Sequence, residues 1–239
     1  MKRLLSRPLF DLAFALALAA AVPVRAVDKA PLYFPASTVD AIALLAPPPA
    51  AGSAEDMADL EETFRVYSSA SAADHARAAD EVKLTVFHFA PAIGPWFKPG
   101  ALPKTEALIQ RVHAEAKAVA KIPKNYWKRI RPYHVDPVRF PNAIEHEDRT
   151  DYSYPSGHST RGTAFALVLA ELFPAKRDAL IAKGRETGWL RVQGGVHYPT
   201  DIYAGRVLGQ AVARALFANA DFQKDLAAAK AEIAALAPH

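Results

Sequence analysis

Three stretches of this 239-residue chain hold residues whose types and spacing suit chemistry on an anion. The first, "YPSGHS" at 154–159, sets Ser156, Gly157 and His158 where a polar loop runs into the apolar "AFALVLAEL". A helix that begins near Ser156 leaves its first N–H groups without intrahelical partners, and Gly157 places no side chain in front of them. Such an end attracts an anion, and a first-turn histidine beside it can give that anion a proton. Taken alone, the stretch reads more simply as Ser156 capping a helix and His158 solvated in its first turn. The second stretch, "PKNYWKRIRP", holds Lys124 and Arg131 seven residues apart. In a helix that is about two turns, so both lie on nearly one face, with Pro123 at the first helical position and Pro132 ending the segment. Two stacked cations repel unless an anion lies between them, although with Lys128 and Arg129 the segment also reads as a solvated basic helix. In the third stretch, "LRVQGGVHYPTDIYAGR", Arg191 ends a helix, Gly194-Gly195 turn the chain and Pro199 opens the next helix. Asp201 then falls in a first turn, within reach of the His197 ring. A carboxylate on one ring nitrogen fixes the tautomer and leaves the other free to attack, or merely secures a helix start. Together the stretches supply cations, a helix end and two differently placed histidines, which suits phosphoryl transfer, where positioning and charge neutralisation do most of the work.

The elements that must hold these residues read as helices. Segments 54–80, 104–121, 124–131, 158–173, 175–192, 199–218 and 221–236 have helical composition, and prolines fall at or near their joints. Ser53 is a candidate N-cap ahead of an acidic first turn, and "APPPA" at 46–50 is a stiff spacer. The segments 164–172 and 202–216 are apolar on most faces, which marks central, buried helices. Only "VKLTVFHFA" at 82–90 has a strand-like mixture, and it fits a helix equally well. With no internal repeat and no long polar linker, the prediction is one all-α domain.

The first 26 residues read as a secretory signal: Lys2, Arg3 and Arg7, then "LFDLAFALALAAAV", then Val24-Arg25-Ala26 at a small-x-small cleavage pattern. Asp11 interrupts the apolar run and makes it a poor membrane span. This segment holds four basic residues and one acidic one, so of 29 Lys+Arg and 25 Asp+Glu the remainder keeps 25 and 24, a net of +1. A nearly neutral surface gives no support to a nucleic-acid or anionic-membrane partner. Without cysteine there is no disulfide framework, thiolate metal site or thiol nucleophile.

The three stretches resemble the three-part signature of the type-2 phosphatidic acid phosphatase superfamily: Lys-x6-Arg-Pro, Pro-Ser-Gly-His and Ser-Arg-x5-His-x3-Asp. The flanks "LLAPPPAAGSAED", "YPSGHSTRGTAFALVLAELFP" and "KGRETGWLRVQGGVHYPTDIYAGRVLGQAV" extend the likeness, over roughly 44–235, to the soluble bacterial class A non-specific acid phosphatases. The resemblance implies a signal peptide over 1–26 and one domain over 27–239, a helical bundle like that of the vanadium haloperoxidases and acid phosphatases. It implies an exported, periplasmic enzyme that hydrolyses a broad range of small phosphate monoesters, with no cofactor, metal or nucleic-acid partner and no membrane once the signal is removed. It leaves homo-oligomer formation open. By position, it makes His197 the nucleophile that forms a phosphohistidine, Asp201 its orienting carboxylate, and His158 the acid that protonates the leaving alcohol and then activates water. Lys124, Arg131, Ser156, Gly157 and Arg191 hold the phosphate. One departure is that Leu190 stands where the signature has serine, which removes a supporting hydrogen bond near the phosphate, typically about 1 kcal/mol. Three rival readings are a vanadium-dependent haloperoxidase, whose second histidine binds the metal; a lipid phosphatase, which requires membrane spans; and an inactive phosphate-binding helical protein. The acidic "EHEDRTD" at 145–151 matches no usual metal-ligand spacing and reads as a mobile polar loop near the pocket.

Overall fold

Prolines and capping side chains set most of the element boundaries. The computed structural model describes residues 32–144 and 151–236. The leader and residues 145–150 of the acidic stretch therefore lie outside the described residues. In chain order the α-helices are α1 (Ala41–Leu44), α2 (Ala54–Ser69), α3 (Ala72–Asp80), α4 (Ala90–Ile93), α5 (Pro103–Trp127), α6 (Pro132–Val135), α7 (Gly157–Leu172), α8 (Arg177–Gln193), α9 (Pro199–Ala218) and α10 (Ala220–Leu236). Short 3₁₀ turns complete the structure, and the described residues contain no strand, so the all-α expectation holds. The hydroxyls of Ser53, Ser71 and Ser156 accept from backbone N–H groups at the starts of α2, α3 and α7. Pro103, Pro132 and Pro199 begin α5, α6 and α9, where no N–H is needed.

Helix α7 is the centre of the bundle. It is buried on most of its faces, from Ala164, Phe165 and Ala166 to Val168 and Leu169, and it packs against α5, α8 and α9. Helix α10 packs on α5 and α9, and its buried Glu232 carboxylate accepts from the N–H groups of Lys104 (2.8 Å) and Thr105 (2.9 Å). That long-range cap satisfies donors at the start of α5, where Leu102 has no side chain able to do so. No helix among the described residues is long and apolar enough to cross a membrane.

Three expectations need correction. The segment 54–80 is two helices: Ser71 and Asp74 form a reciprocal capping box, with Asp74 N–H donating to Ser71 Oγ at 3.1 Å and Ser71 N–H to Asp74 Oδ2 at 2.9 Å. That local pairing closes α2 and starts α3. The segment 124–131 is not a helix of its own. Helix α5 continues through the buried Pro123 to Trp127, and Lys128 ends it in the left-handed conformation at φ 52°. Packing of α5 outweighs the one backbone bond that proline forfeits. The segment 82–90 forms 3₁₀ turns, Glu81–Lys83 and Val86–Phe89, that run into α4.

The contact between α7 and α9 sets how close the first turns of the two helices come. A Cβ on Gly205 would lie 2.6 Å from the Ser156 carbonyl oxygen and 2.7 Å from Ser159 Cβ, and one on Gly209 would lie 2.6 Å from the Thr160 carbonyl oxygen. Only glycine permits this approach. Gly205→Ala is therefore expected to destabilise the protein by about 1–3 kcal/mol through overpacking. A melting temperature equal to or above that of the wild type would show that the two helices can separate without loss.

Candidate active site

Two cations reach the site from different elements rather than from one helical face. Lys124 lies in the last turn of α5, and its Nζ donates to Asp151 Oδ2 at 2.9 Å and to the Tyr152 carbonyl. Burial, then the nearby Arg131, push this ammonium down to about 8, with Asp151 opposing. Past Lys128 the chain is extended at Arg131, the residue that precedes α6. The Arg131 guanidinium is buried and donates to the Asp151 carbonyl (2.9 Å), to Asp151 Oδ2 (3.1 Å) and to the Val196 carbonyl (2.8 Å). Its Nη1 also lies 3.2 Å from His197 Nε2.

That last contact determines the histidine's state. A guanidinium only donates, so Nε2 faces it as an acceptor, while Nδ1 lies 2.9 Å from Asp201 Oδ2. The proton therefore sits on Nδ1 and the lone pair on Nε2. Asp201 is the third residue of α9, the helix that Pro199 begins. Its Oδ2 also accepts from Tyr198 N–H at 3.0 Å and from the Ser153 hydroxyl, and its Oδ1 accepts from Arg129 Nη1 at 3.0 Å. Arg129 in turn pairs with Asp56 at 2.8 Å and Asp59 at 2.9 Å, donates to Thr200 Oγ1 at 2.7 Å, and stacks 3.7 Å from the centre of the Tyr198 ring. Burial works against its charge, but Asp201, Asp56 and Asp59 hold it above its ordinary range.

The start of α7 supplies the opposite wall. Ser156 is the N-cap: its hydroxyl accepts from Ser159 N–H at 3.2 Å, and its own N–H donates to the Asp201 carbonyl at 3.0 Å. A Cβ on Gly157 would meet only Lys124 Cε, at an ordinary 3.9 Å, so the helix end stays open. His158 Nε2 lies 3.1 Å from both the Glu81 and Val82 carbonyls, and Nδ1 receives Arg161 Nη2 at 3.1 Å. Carbonyls only accept and guanidinium only donates, so this ring has the opposite tautomer to His197, with its proton on Nε2. Arg191, wholly buried in the last turn of α8, donates from Nη1 to the Ala78 carbonyl at 2.9 Å. Its Nε and Nη2 have no hydrogen-bond partner among the described residues.

Lys124, Arg131, Asp151, Gly157, His158 and His197 line one cavity of about 290 Å³, with Lys117, Lys121 and Arg161 on its wall. Asp201, Ser156 and Arg191 are fully buried and do not line it. Sequence reasoning missed four members. Arg129 was read as part of a solvated basic segment, and Ser153 had no spacing that pointed to Asp201. Arg161 could have been found from its place one turn after His158 on the same helix. Asp151 was read within a polar loop, but its carboxylate bridges Lys124 and Arg131. Among the described residues no group of His, Asp and Glu is placed to hold a metal ion. The arrangement is suited to a tetrahedral oxyanion, held by cations and N–H groups against an unprotonated imidazole nitrogen.

The chain belongs to the PAP2 superfamily, whose sequence profile matches residues 112–224. It is 32% identical to a non-specific acid phosphatase of Providencia stuartii, over 87% of each chain. It is 30% identical to a non-specific acid phosphatase of Salmonella typhi, over 93% of this chain and 91% of that one. Among solved structures, a transmembrane PAP2-type phosphatidylglycerolphosphate phosphatase from Bacillus subtilis shares the fold, with a TM-score of 0.52 at 19% identity over 77% of this chain and 90% of that one.

Lys124 is charged below about pH 8 and neutral above it. Affinity for sulfate, which stays a dianion throughout, is therefore expected to weaken as pH rises through about 8. Calorimetric titration checks this, and Lys124→Met should remove the step. A step that survives in that variant would assign it to another group.

Proposed function

We propose that the protein is an acid phosphatase that hydrolyses small phosphate monoesters through a phosphohistidine on His197. The observation that carries this reading is the His197 ring, with Nδ1 tied to Asp201 and Nε2 turned toward Arg131 in a cation-lined cavity. A phosphate between Lys124 and Arg131 would bring its phosphorus to that lone pair and take over the positions that Asp151 Oδ2 now bridges. The N–H groups at Gly157 and the Ser156 hydroxyl add donors at the open end of α7. Arg191, buried near Arg131, brings two nitrogens, Nε and Nη2, that have no hydrogen-bond partner among the described residues.

In the first step His197 Nε2 bonds to phosphorus, the phosphorus–oxygen ester bond breaks, and the leaving oxygen takes a proton from His158. To do so the leaving oxygen must replace one of the contacts that His158 makes here. As Nε2 bonds to phosphorus the His197 ring gains positive charge, which Asp201 offsets. In the second step His158 takes a proton from water, the water oxygen bonds to phosphorus, the nitrogen–phosphorus bond breaks, and phosphate leaves. The charge on the transferring group is met by Lys124, Arg131 and Arg191, the role that a metal ion fills elsewhere. We therefore read the reaction as metal-independent. The names of the bacterial relatives support the substrate class, and the N-terminal 26 residues support export to the periplasm.

Hydrolysis of an aryl phosphate from pH 4 to 9 in excess chelator tests this reading. The expected profile peaks on the acid side, because His158 must be protonated, and does not respond to chelation. His197→Ala should abolish turnover, and chelator-sensitive activity or an active His197→Ala variant would sink the mechanism. His158→Ala should lose ~10²–10⁴-fold, with the smaller losses for good leaving groups. Equal losses across leaving groups would remove His158 from the acid role.

A further inference from the structure

Arg161 is not among the phosphate-holding residues assigned above, yet it lines the same cavity and touches the histidine assigned as the acid. It lies one helical turn after His158 on α7, so its side chain falls on the same face. Its Nη2 donates to His158 Nδ1 at 3.1 Å, and its Nη1 lies 3.4 Å from Nε2 of His113 on α5. The guanidinium thus spans two imidazoles.

Resting on the phosphohistidine reading, we propose that Arg161 is a positioning residue that fixes the tautomer and sets the acidity of His158. The physical argument has two parts. A guanidinium offers only donors, so at Nδ1 it selects the lone pair and leaves the resting proton on Nε2; forming the imidazolium acid puts a second proton on Nδ1, and the Arg161 N–H must then withdraw from it. As a permanent cation in direct contact it also disfavours a second positive charge on that ring. Removing this cation raises the ring's proton affinity whatever else surrounds it, and among the described residues the charged groups facing the ring or the cavity are these. Lys117, Lys121 and Lys124 come from α5, Arg131 precedes α6, and Asp151 is bridged by Lys124 and Arg131. His197 is engaged with Asp201, and the Glu81 carboxylate is paired with Lys183. His113 is pushed down to about 4, first by burial and then by Arg161 and Lys117, so it adds no charge above that pH. His158 therefore becomes imidazolium most readily once a phosphate dianion enters and offsets Arg161. Substrate binding and protonation of the acid are coupled.

The test compares the pH dependence of kcat/KM for an alkyl phosphate, whose leaving group needs the acid, with that for an aryl phosphate, whose leaving group needs it little. In the wild type the alkaline limb for the alkyl ester lies below that for the aryl ester. In Arg161→Gln the alkyl limb moves up by ~1–3 pH units, toward the aryl limb, which stays in place. Arg161→Lys keeps a cation and retains the separation, and circular dichroism confirms that both variants fold. If one variant does not fold, the other alone decides through the position of its alkyl limb. An alkyl limb that stays put in Arg161→Gln, alkyl and aryl limbs that move together, or a shifted limb in Arg161→Lys would overturn the proposal. His197→Ala is measured alongside. If that variant still hydrolyses the aryl ester, the phosphohistidine reading itself fails and the Arg161 proposal falls with it. If it is inactive while the Arg161 limbs do not move, only the Arg161 proposal fails.

Discussion

The Asp201 carboxylate is the contact on which the site's geometry depends. It is fully buried and accepts hydrogen bonds from His197, Tyr198, Ser153 and Arg129. An unpaired carboxylate at that depth would be strongly destabilising, so the donors around it have to be present and in place. They come from three parts of the chain. His197 and Tyr198 precede α9, Ser153 lies in the approach to α7, and Arg129 lies just past the end of α5. The backbone carbonyl of the same residue receives Ser156 N–H, which fixes the cap of α7 to the first turn of α9. One residue therefore holds three of the segments that form the cavity in register.

Arg129 extends this hold outward. Its pairs with Asp56 and Asp59 bring α2 into the network, and Thr200 is shared between Arg129 and Asp59. The network also fixes the carboxylate at both oxygens: with a guanidinium on Oδ1 and the His197 ring on Oδ2, Asp201 cannot turn away from the imidazole that it orients. The two histidines are held in opposite tautomers by neighbours that can only donate or only accept. Their difference is thus part of the framework and needs no bound ligand to establish it.

What was legible in the sequence was whatever depends on short range. Pro199 and Asp201 announced a helix start with a carboxylate aimed back at His197, and Ser156 announced the cap of α7. Because these relations span three or four residues, spacing alone carries them. Lys124 and Arg131 were also paired, but for the wrong reason. Two turns of one helix were expected, whereas the left-handed Lys128 ends α5 and an extended segment folds Arg131 back. The expectation failed at Pro123, where local preference predicts a helix start and burial of α5 overrides it. Arg129, Ser153 and the long-range cap from Glu232 to α5 were not legible. Each joins residues far apart in the chain, and nothing in the composition of either partner distinguishes it from a surface polar residue.

The partners of Arg191 have a consequence for the evolution of the chain. A guanidinium that is fully buried, with Nε and Nη2 unpartnered among the described residues and close enough to Arg131 and Arg161 for burial and repulsion together to lower its proton affinity, is an unfavourable component of the fold. Random substitutions selected only for thermal resistance would be drawn to this position, since a well-packed neutral side chain there relieves both penalties. On the proposed reading, in which Arg191 helps to hold the phosphate, robustness and anion capture are therefore opposed at a single buried residue, and the arginine is a place where the chain tolerates weakness in its interior.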